Sequence, residues 1–166
     1  KVYAVDQFGM DHVVAELLLK SGKKLAVAES CTGGMVTSAL IKYPGISTAL
    51  VEGMVTYSNE AKTRRLGVRP ETLRVHGAVS RETALEMARG LLSEGTADVG
   101  LSVTGIAGPD GGSEEKPVGL VYIAVCGNGQ EQCREYHFWG ERNRIRSVAC
   151  LNALNMLRLH LLQTDK

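Results

Sequence analysis

The sequence predicts an α/β fold, a three-layer α/β/α sandwich around a mixed, mostly parallel β-sheet. Three observations point there. Short, wholly apolar runs such as Leu25-Ala26-Val27-Ala28 suit strands covered on both faces, the condition of a parallel sheet. Segments with apolar residues at helical spacing separate these runs, the alternation that lays helices over a sheet. Late in the chain, two strand-like segments flank Gly127-Asn128-Gly129, a hairpin turn that brings antiparallel pairing into the same sheet.

In chain order, Asp11 is placed to cap a first helix carrying Val13, Val14, Leu17 and Leu18, with Gly22 as its stop. Leu25 to Ala28 is the first strand. Glu29-Ser30-Cys31-Thr32-Gly33-Gly34 then leads into a helix from Met35 to Ile41, ended by Tyr43-Pro44-Gly45. Leu50 to Tyr57 is a second strand in spite of Gly53, and Asn59 caps a short helix reaching about Leu66. Pro70 opens another helical turn that stops near Gly77. Ser80 caps the clearest amphipathic helix, with Ala84, Leu85, Ala88, Leu91 and Leu92 on one face. Asp98 to Val103 is a strand, and Gly105 to Pro117 is a Gly/Pro-rich loop, long enough to be functional or disordered. Val118 to Val125 and Cys133 to Phe138 are the hairpin strands. A last helix runs from about Glu141 to Leu162, with Ile145, Val148, Leu151 and Leu154 on its apolar face.

The 166 residues fit one domain with a full core. Residues 10–166 are read as that domain. Residues 1–9 are read as a linker or the end of a preceding domain, because Lys1-Val2-Tyr3-Ala4-Val5-Asp6 reads like the interior of a longer polypeptide. Lys+Arg 19 against Asp+Glu 18 leaves a formal charge of +1, too little for a bulk field that attracts nucleic acid or an anionic membrane. Anion recognition must therefore be local. No run approaches the ~18 apolar residues of a membrane span, and no signal peptide is visible. Cys31, Cys126, Cys133 and Cys150 form no C-x-x-C pair, and no close His/Cys cluster suggests a zinc site. Reduced thiols in a cytoplasmic protein are the expectation.

Chemistry concentrates at strand ends, where open α/β sheets bind ligands. Ser30 sits where a buried strand turns into a helix. Free N–H groups there, with Gly33 and Gly34 admitting close approach, favour an anion or a developing oxyanion; equally, Ser30 and Thr32 suit plain helix capping. Cys31 is a rival nucleophile, although a buried cysteine is more often inert packing. In Thr56-Tyr57-Ser58-Asn59-Glu60-Ala61-Lys62, Lys62 lies about one turn into a helix and can fold back over the strand end beside Tyr57. If the two strands are neighbours, Ser30 and Lys62 meet, and such a pair performs acyl transfer when desolvation frees the amine. A solvated helix lysine is the plain alternative. The loop Thr104-Gly105-Ile106-Ala107-Gly108-Pro109-Asp110-Gly111-Gly112 resembles a phosphate cradle only loosely and has no Walker pattern. Arg142, Arg144 and Arg146 crowd the start of the last helix, against its dipole, which makes sense if one of them holds a phosphate or carboxylate. Otherwise they are solvated or paired with an acid.

Taken together, Ala28-Glu29-Ser30-Cys31-Thr32-Gly33-Gly34, Thr56 to Lys62, His76-Gly77-Ala78-Val79-Ser80, and Thr104 to Gly112 with Lys116-Pro117-Val118-Gly119 resemble the signature of the CinA C-terminal domain family. The resemblance covers roughly residues 10 to 162. It implies a bacterial, cytoplasmic, dimeric hydrolase without metal or cofactor, and a possible N-terminal domain in the full-length protein. The implied reaction converts nicotinamide mononucleotide to nicotinate mononucleotide and ammonia in pyridine nucleotide salvage. The implied catalytic residues are Ser30, Lys62 and Tyr57. Thr32, Gly33, Gly34, Asn59, Thr104, Gly105, Ala107, Gly108 and Arg142 are the implied substrate-binding set. The alternative from another class is a non-catalytic nucleotide-binding or dimerisation module of a two-domain protein.

Overall fold

Alternate residues of the central strands face different helices, and this alternation organises the molecule. The computed structural model describes residues 9–164, so the expected linker lies outside the described residues except for Gly9. The elements are α1 (Met10–Ser21), β1 (Leu25–Glu29), α2 (Met35–Ile41), β2 (Leu50–Val55), α3 (Asn59–Leu66), α4 (Pro70–His76), α5 (Arg81–Gly90), β3 (Val99–Gly105), β4 (Leu120–Gly127), β5 (Gln130–His137) and α6 (Arg142–Thr164). The sheet order is β2-β1-β3-β4-β5. β1 is parallel to β2 and β3, and β4 is antiparallel to β3 and β5. Four strands therefore share one direction and β4 alone opposes them, the mixed and mostly parallel sheet that the sequence predicts.

On one face, Leu25 and Val27 of β1, Leu101 and Val103 of β3, and Ile123 and Val125 of β4 join a core with α1, α2 and α6. Each large aliphatic side chain buried there contributes about 1.5–3 kcal/mol of transfer free energy. On the other face, Ala26 and Ala28 meet Leu66, Val68, Met87 and Leu91, while Ala124 and Cys126 meet Ala84 and Ala88. Small residues let α5 press close to the strands on this side. A Cβ on Gly100 would stand 2.3 Å from the Ala88 carbonyl oxygen, and Ser102 Oγ donates to the Ala84 carbonyl at 2.6 Å. α3 is equally close to α5, since a Cβ on Gly90 would stand 1.9 Å from the Leu66 carbonyl.

Several boundaries differ from the sequence reading. Gly9, not Asp11, is the N-cap of α1, and Asp11 lies in its first turn, where a carboxylate suits the helix dipole. Ser58, not Asn59, caps α3: its extended backbone lets its Oγ accept from the Ala61 N–H at 3.1 Å, whereas Asn59 is already helical. β3 runs on through Gly105, which is therefore a strand residue rather than the start of the loop. β5 begins at Gln130 because the turn is only Asn128-Gly129, both with positive φ (51° and 72°), as a two-residue hairpin requires. Its first residues are polar and exposed on a sheet edge, so they carry no hydrophobic signal.

The connections fix where a ligand belongs. After β1 the chain passes through α2 to β2 on one side; after β3 it passes to β4 on the other. The carboxyl ends of β1 and β3 thus flank the topological switch point of the sheet.

Candidate active site

Ser30 follows β1 directly, and its N–H donates to the Val103 carbonyl of β3 at 2.9 Å. Strand pairing brings β2 to the same level, with Val55 opposite Glu29 and the Thr56 N–H donating to the Glu29 carbonyl at 2.9 Å. From the far side of that strand end, α3 returns Lys62. Its side chain is not solvated: the residue is 1% exposed. Lys62 Nζ donates to the Thr56 carbonyl at 2.8 Å and the Tyr57 carbonyl at 3.3 Å, and lies 3.2 Å from Ser30 Oγ. No carboxylate forms an ion pair with it among the described residues. Burial holds its pKa below the ordinary lysine value, opposed in part by the nearby Cys31 sulfur.

These partners accommodate a neutral amine as well as an ammonium. A free amine has two N–H bonds and one lone pair; the two carbonyls take the hydrogens, and the lone pair is left for the Ser30 hydroxyl. The ammonium form would instead donate to Ser30 and occupy the oxygen that must act. Cys31 is a poor competitor, because burial pushes its thiol up to about 11 and keeps it protonated at neutral pH.

Glu29 shapes the turn around Ser30. Its fully buried carboxylate accepts from the N–H groups of Gly34 (3.0 Å), Val36 (3.1 Å) and Thr37 (2.9 Å), and from Thr37 Oγ1 (2.8 Å). The last residue of β1 thereby caps α2 across the loop. Gly33 and Gly34 adopt positive φ (58° and 94°) to close it, and the Gly33 N–H donates back to the Ser30 carbonyl at 3.1 Å. The amides of Gly33 and Gly34 are therefore engaged inside the turn. Those of Cys31 and Thr32 meet no oxygen acceptor among the described residues; both donate to the Cys31 sulfur, and both residues are buried.

The three arginines of α6 have three different uses, and none of them ion-pairs with an acid among the described residues. Arg142 donates to the Gly108 carbonyl at 2.7 Å and to the Tyr57 hydroxyl at 3.1 Å, bridging the long loop to the strand-end tyrosine. Arg144 lies over the Trp139 ring, 4.3 Å from its centroid. Arg146 donates to the carbonyls of Cys31 (3.0 Å) and Thr32 (3.2 Å).

The remaining residues named from the sequence divide in two groups. Thr104 stands level with Ser30 on the neighbouring strand and donates to the Ala78 carbonyl at 2.8 Å. Gly105 packs so close that a Cβ there would be 3.1 Å from the Cys31 sulfur. Ala107 and Gly108 are buried in the loop that follows, and Lys116 ties that loop to the turn after α4 through the His76 and Val79 carbonyls. Asn59 stands apart: it is exposed and lines a groove of about 530 Å³ with Pro70 and Arg74, which neither Ser30 nor Lys62 borders. Glu29 is a member whose role sequence reasoning missed, and Arg146, read there as one of three arginines that could hold an anion, holds two backbone carbonyls instead. The available signals were a lone acid ending an apolar strand before a Gly-Gly helix start, and the i,i+4 spacing that sets Arg146 on the same face of α6 as Arg142.

The model of the CinA C-terminal domain family matches residues 7–161. A CinA-like protein of Kosmotoga olearia is 48% identical over 161 residues, 97% of this chain and 39% of that protein. The chain thus spans about 39% of the length of the curated relatives it matches. The crystal structure of a competence/damage-inducible protein from Agrobacterium tumefaciens is similar with a TM-score of 0.86 and 42% identity, over 95% of this chain and 99% of that one. A CinA-superfamily protein from Klebsiella pneumoniae gives a TM-score of 0.88 and 35% identity, over 94% and 99%. Among the described residues, no cluster of His, Cys, Asp or Glu could hold a metal ion, and no helix is long and apolar enough to cross a membrane.

Proposed function

The chain belongs to the CinA C-terminal domain family, and on that premise we propose that it is an amidohydrolase converting nicotinamide mononucleotide to nicotinate mononucleotide and ammonia. The observation that carries this reading is the buried Lys62 amine, held by two carbonyls with its remaining valence toward Ser30 Oγ. Ser30 Oγ attacks the carboxamide carbon while its proton passes to Lys62 Nζ. The carbonyl oxygen becomes an oxyanion, whose charge hydrogen-bond donors of the site must stabilise. Collapse breaks the C–N bond as Lys62 returns the proton to the departing nitrogen, which leaves as ammonia. A water then gives its proton to Lys62, attacks the Ser30 ester and releases the nicotinate, regenerating the hydroxyl. Arg142 keeps N–H groups beyond the two it uses, and these are the donors proposed for the 5′-phosphate.

A second reading rests on length. Because the chain spans about 39% of its relatives, it also fits a non-catalytic module serving the remainder of a longer protein. Ammonia release from nicotinamide mononucleotide separates the two. The hydrolase reading expects turnover by the wild type and background rates for Ser30→Ala with the fold intact. Absence of turnover by the wild type, or near-wild-type rates for Ser30→Ala, removes it in favour of the module.

A further inference from the structure

Two segments distant in sequence, His76-Gly77-Ala78-Val79-Ser80 and Lys116-Pro117-Val118-Gly119, are joined by the side chain of Lys116. Its Nζ donates to the His76 carbonyl and, at 2.8 Å, to the Val79 carbonyl. No carboxylate forms an ion pair with it among the described residues. The turn it grips is a fixed anchor. Thr104 Oγ1 of β3 donates to the Ala78 carbonyl at 2.8 Å. Ser80 Oγ, at the N-cap of α5, and Thr83 Oγ1 within that helix donate to the Gly77 carbonyl at 3.1 and 2.7 Å. The ammonium therefore docks on backbone already tied to β3 and α5.

Lys116 belongs to the loop between β3 and β4. Its base is closed by the Ile106 N–H on the Leu120 carbonyl at 2.9 Å and the Gly119 N–H on the Ile106 carbonyl at 2.8 Å. Among the described residues, only two side chains join residues 107–118 to the rest of the molecule beyond that base: Lys116 from one arm, and Arg142, which donates to the Gly108 carbonyl of the other at 2.7 Å. The arms touch, since a Cβ on Gly108 would stand 2.5 Å from Val118 Cγ1. The grip of Lys116 is thus passed through Val118 to the residue that holds Arg142. Arg142 itself is exposed, and its second bond goes to the Tyr57 hydroxyl at 3.1 Å, on the residue whose carbonyl receives Lys62 Nζ. It stands open to a ligand beside the Ser30–Lys62 pair.

We infer that Lys116 is a positioning residue: by clasping the His76 and Val79 carbonyls it holds the β3–β4 loop where the Gly108 carbonyl fixes Arg142 to receive the phosphate of the substrate. The inference rests on the phosphate role proposed for Arg142. Released from its anchor, the loop moves on its base, the Gly108 carbonyl leaves its place, and Arg142 loses the acceptor that orients its guanidinium. A phosphate remote from the reacting carbon is held alike in ground and transition states, so the loss falls on KM and not on kcat. The Ser30–Lys62 pair is untouched, because neither residue contacts the loop through Lys116.

The test is a double-mutant cycle of Lys116→Met and Arg142→Met, read by kcat and KM for nicotinamide mononucleotide and by calorimetric binding of ribose 5-phosphate, with thermal unfolding as a check on the fold. Lys116→Met should raise KM and weaken ribose 5-phosphate about tenfold, the lower end of what one charge-assisted hydrogen bond is worth, with kcat and the pH–rate profile unchanged. In the Arg142→Met background it should add nothing. Lys116→Arg, whose fork also reaches two carbonyls, should restore wild-type values. Lys116→Gln, with one donor group, should fall between and answers the question if the Met variant unfolds. Wild-type KM in a folded Lys116→Met, a loss confined to kcat, or an effect that persists undiminished without Arg142 overturns the inference. A wild type that binds ribose 5-phosphate but does not turn over the mononucleotide refutes the substrate reading, and weaker binding by Lys116→Met only when Arg142 is present still supports the positioning role. A wild type that binds no ribose 5-phosphate overturns it.

Discussion

Burying an amine at Lys62 affects stability as well as rate. In the unfolded chain the lysine titrates near its ordinary value of 10.5; in the fold, burial lowers that value. Between the two values the unfolded chain binds more protons than the folded one, so stability rises with pH across that window. Below the folded value the ammonium is buried and the penalty is fully present. Lys62→Met removes the titration. The unfolding temperature of the variant relative to wild type should therefore be most favourable at neutral pH and decline as pH approaches ~10; an offset that stays constant with pH would contradict the buried-amine account. The neighbouring cysteine gives the opposite expectation for function. With its thiol pushed up to about 11 by burial, Cys31 is protonated at neutral pH, and Cys31→Ala should keep most of the kcat/KM that Ser30→Ala loses.

Helices meet the site through backbone contacts that leave little room for change. Glu29 serves the N–H of Gly34, two N–H groups of α2 and one hydroxyl with a single carboxylate. Glu29→Ala strands these buried donors, and each left unpaired costs about 1–3 kcal/mol. The loss should appear as a lower urea midpoint at an unchanged m-value; an unchanged midpoint would show that the cap contributes nothing. α3, which carries Lys62, lies against α5 at Gly90, where a Cβ would be 1.9 Å from the Leu66 carbonyl. Gly90→Ala should destabilise by about 1–3 kcal/mol through overpacking, despite alanine's better helix propensity, and thermal unfolding reads the sign directly. Neither contact was visible from the sequence. A glutamate ending an apolar strand and a glycine inside an amphipathic helix each fit several environments, and only the packed neighbour selects one.

At the scale of the molecule, what was legible was periodicity. The buried strands β1, β3 and β4 announce themselves by apolar runs, and the helices by spacing, so the layered sandwich follows. β2 and β5 are sheet edges with largely exposed residues, and the N-terminal part of β5 was missed for that reason. The meeting of Ser30 with Lys62 depended on β1 and β2 being neighbours, which no local pattern encodes; it was stated from the sequence as a condition, and the strand order meets that condition. Arg146 needed more, since α6 comes back to the carboxyl end of β1 only in the finished fold. The central claim is that this topology makes Lys62 a base for Ser30, and the pH dependence of kcat/KM for nicotinamide mononucleotide tests it most directly, with Lys62→Arg measured beside the wild type. The account predicts that the wild-type rate rises along an ionisation well below the ~10.4 of an unperturbed lysine, and that the arginine variant, charged but unable to accept the proton, is inactive throughout. An active Lys62→Arg enzyme with the wild-type profile would contradict it.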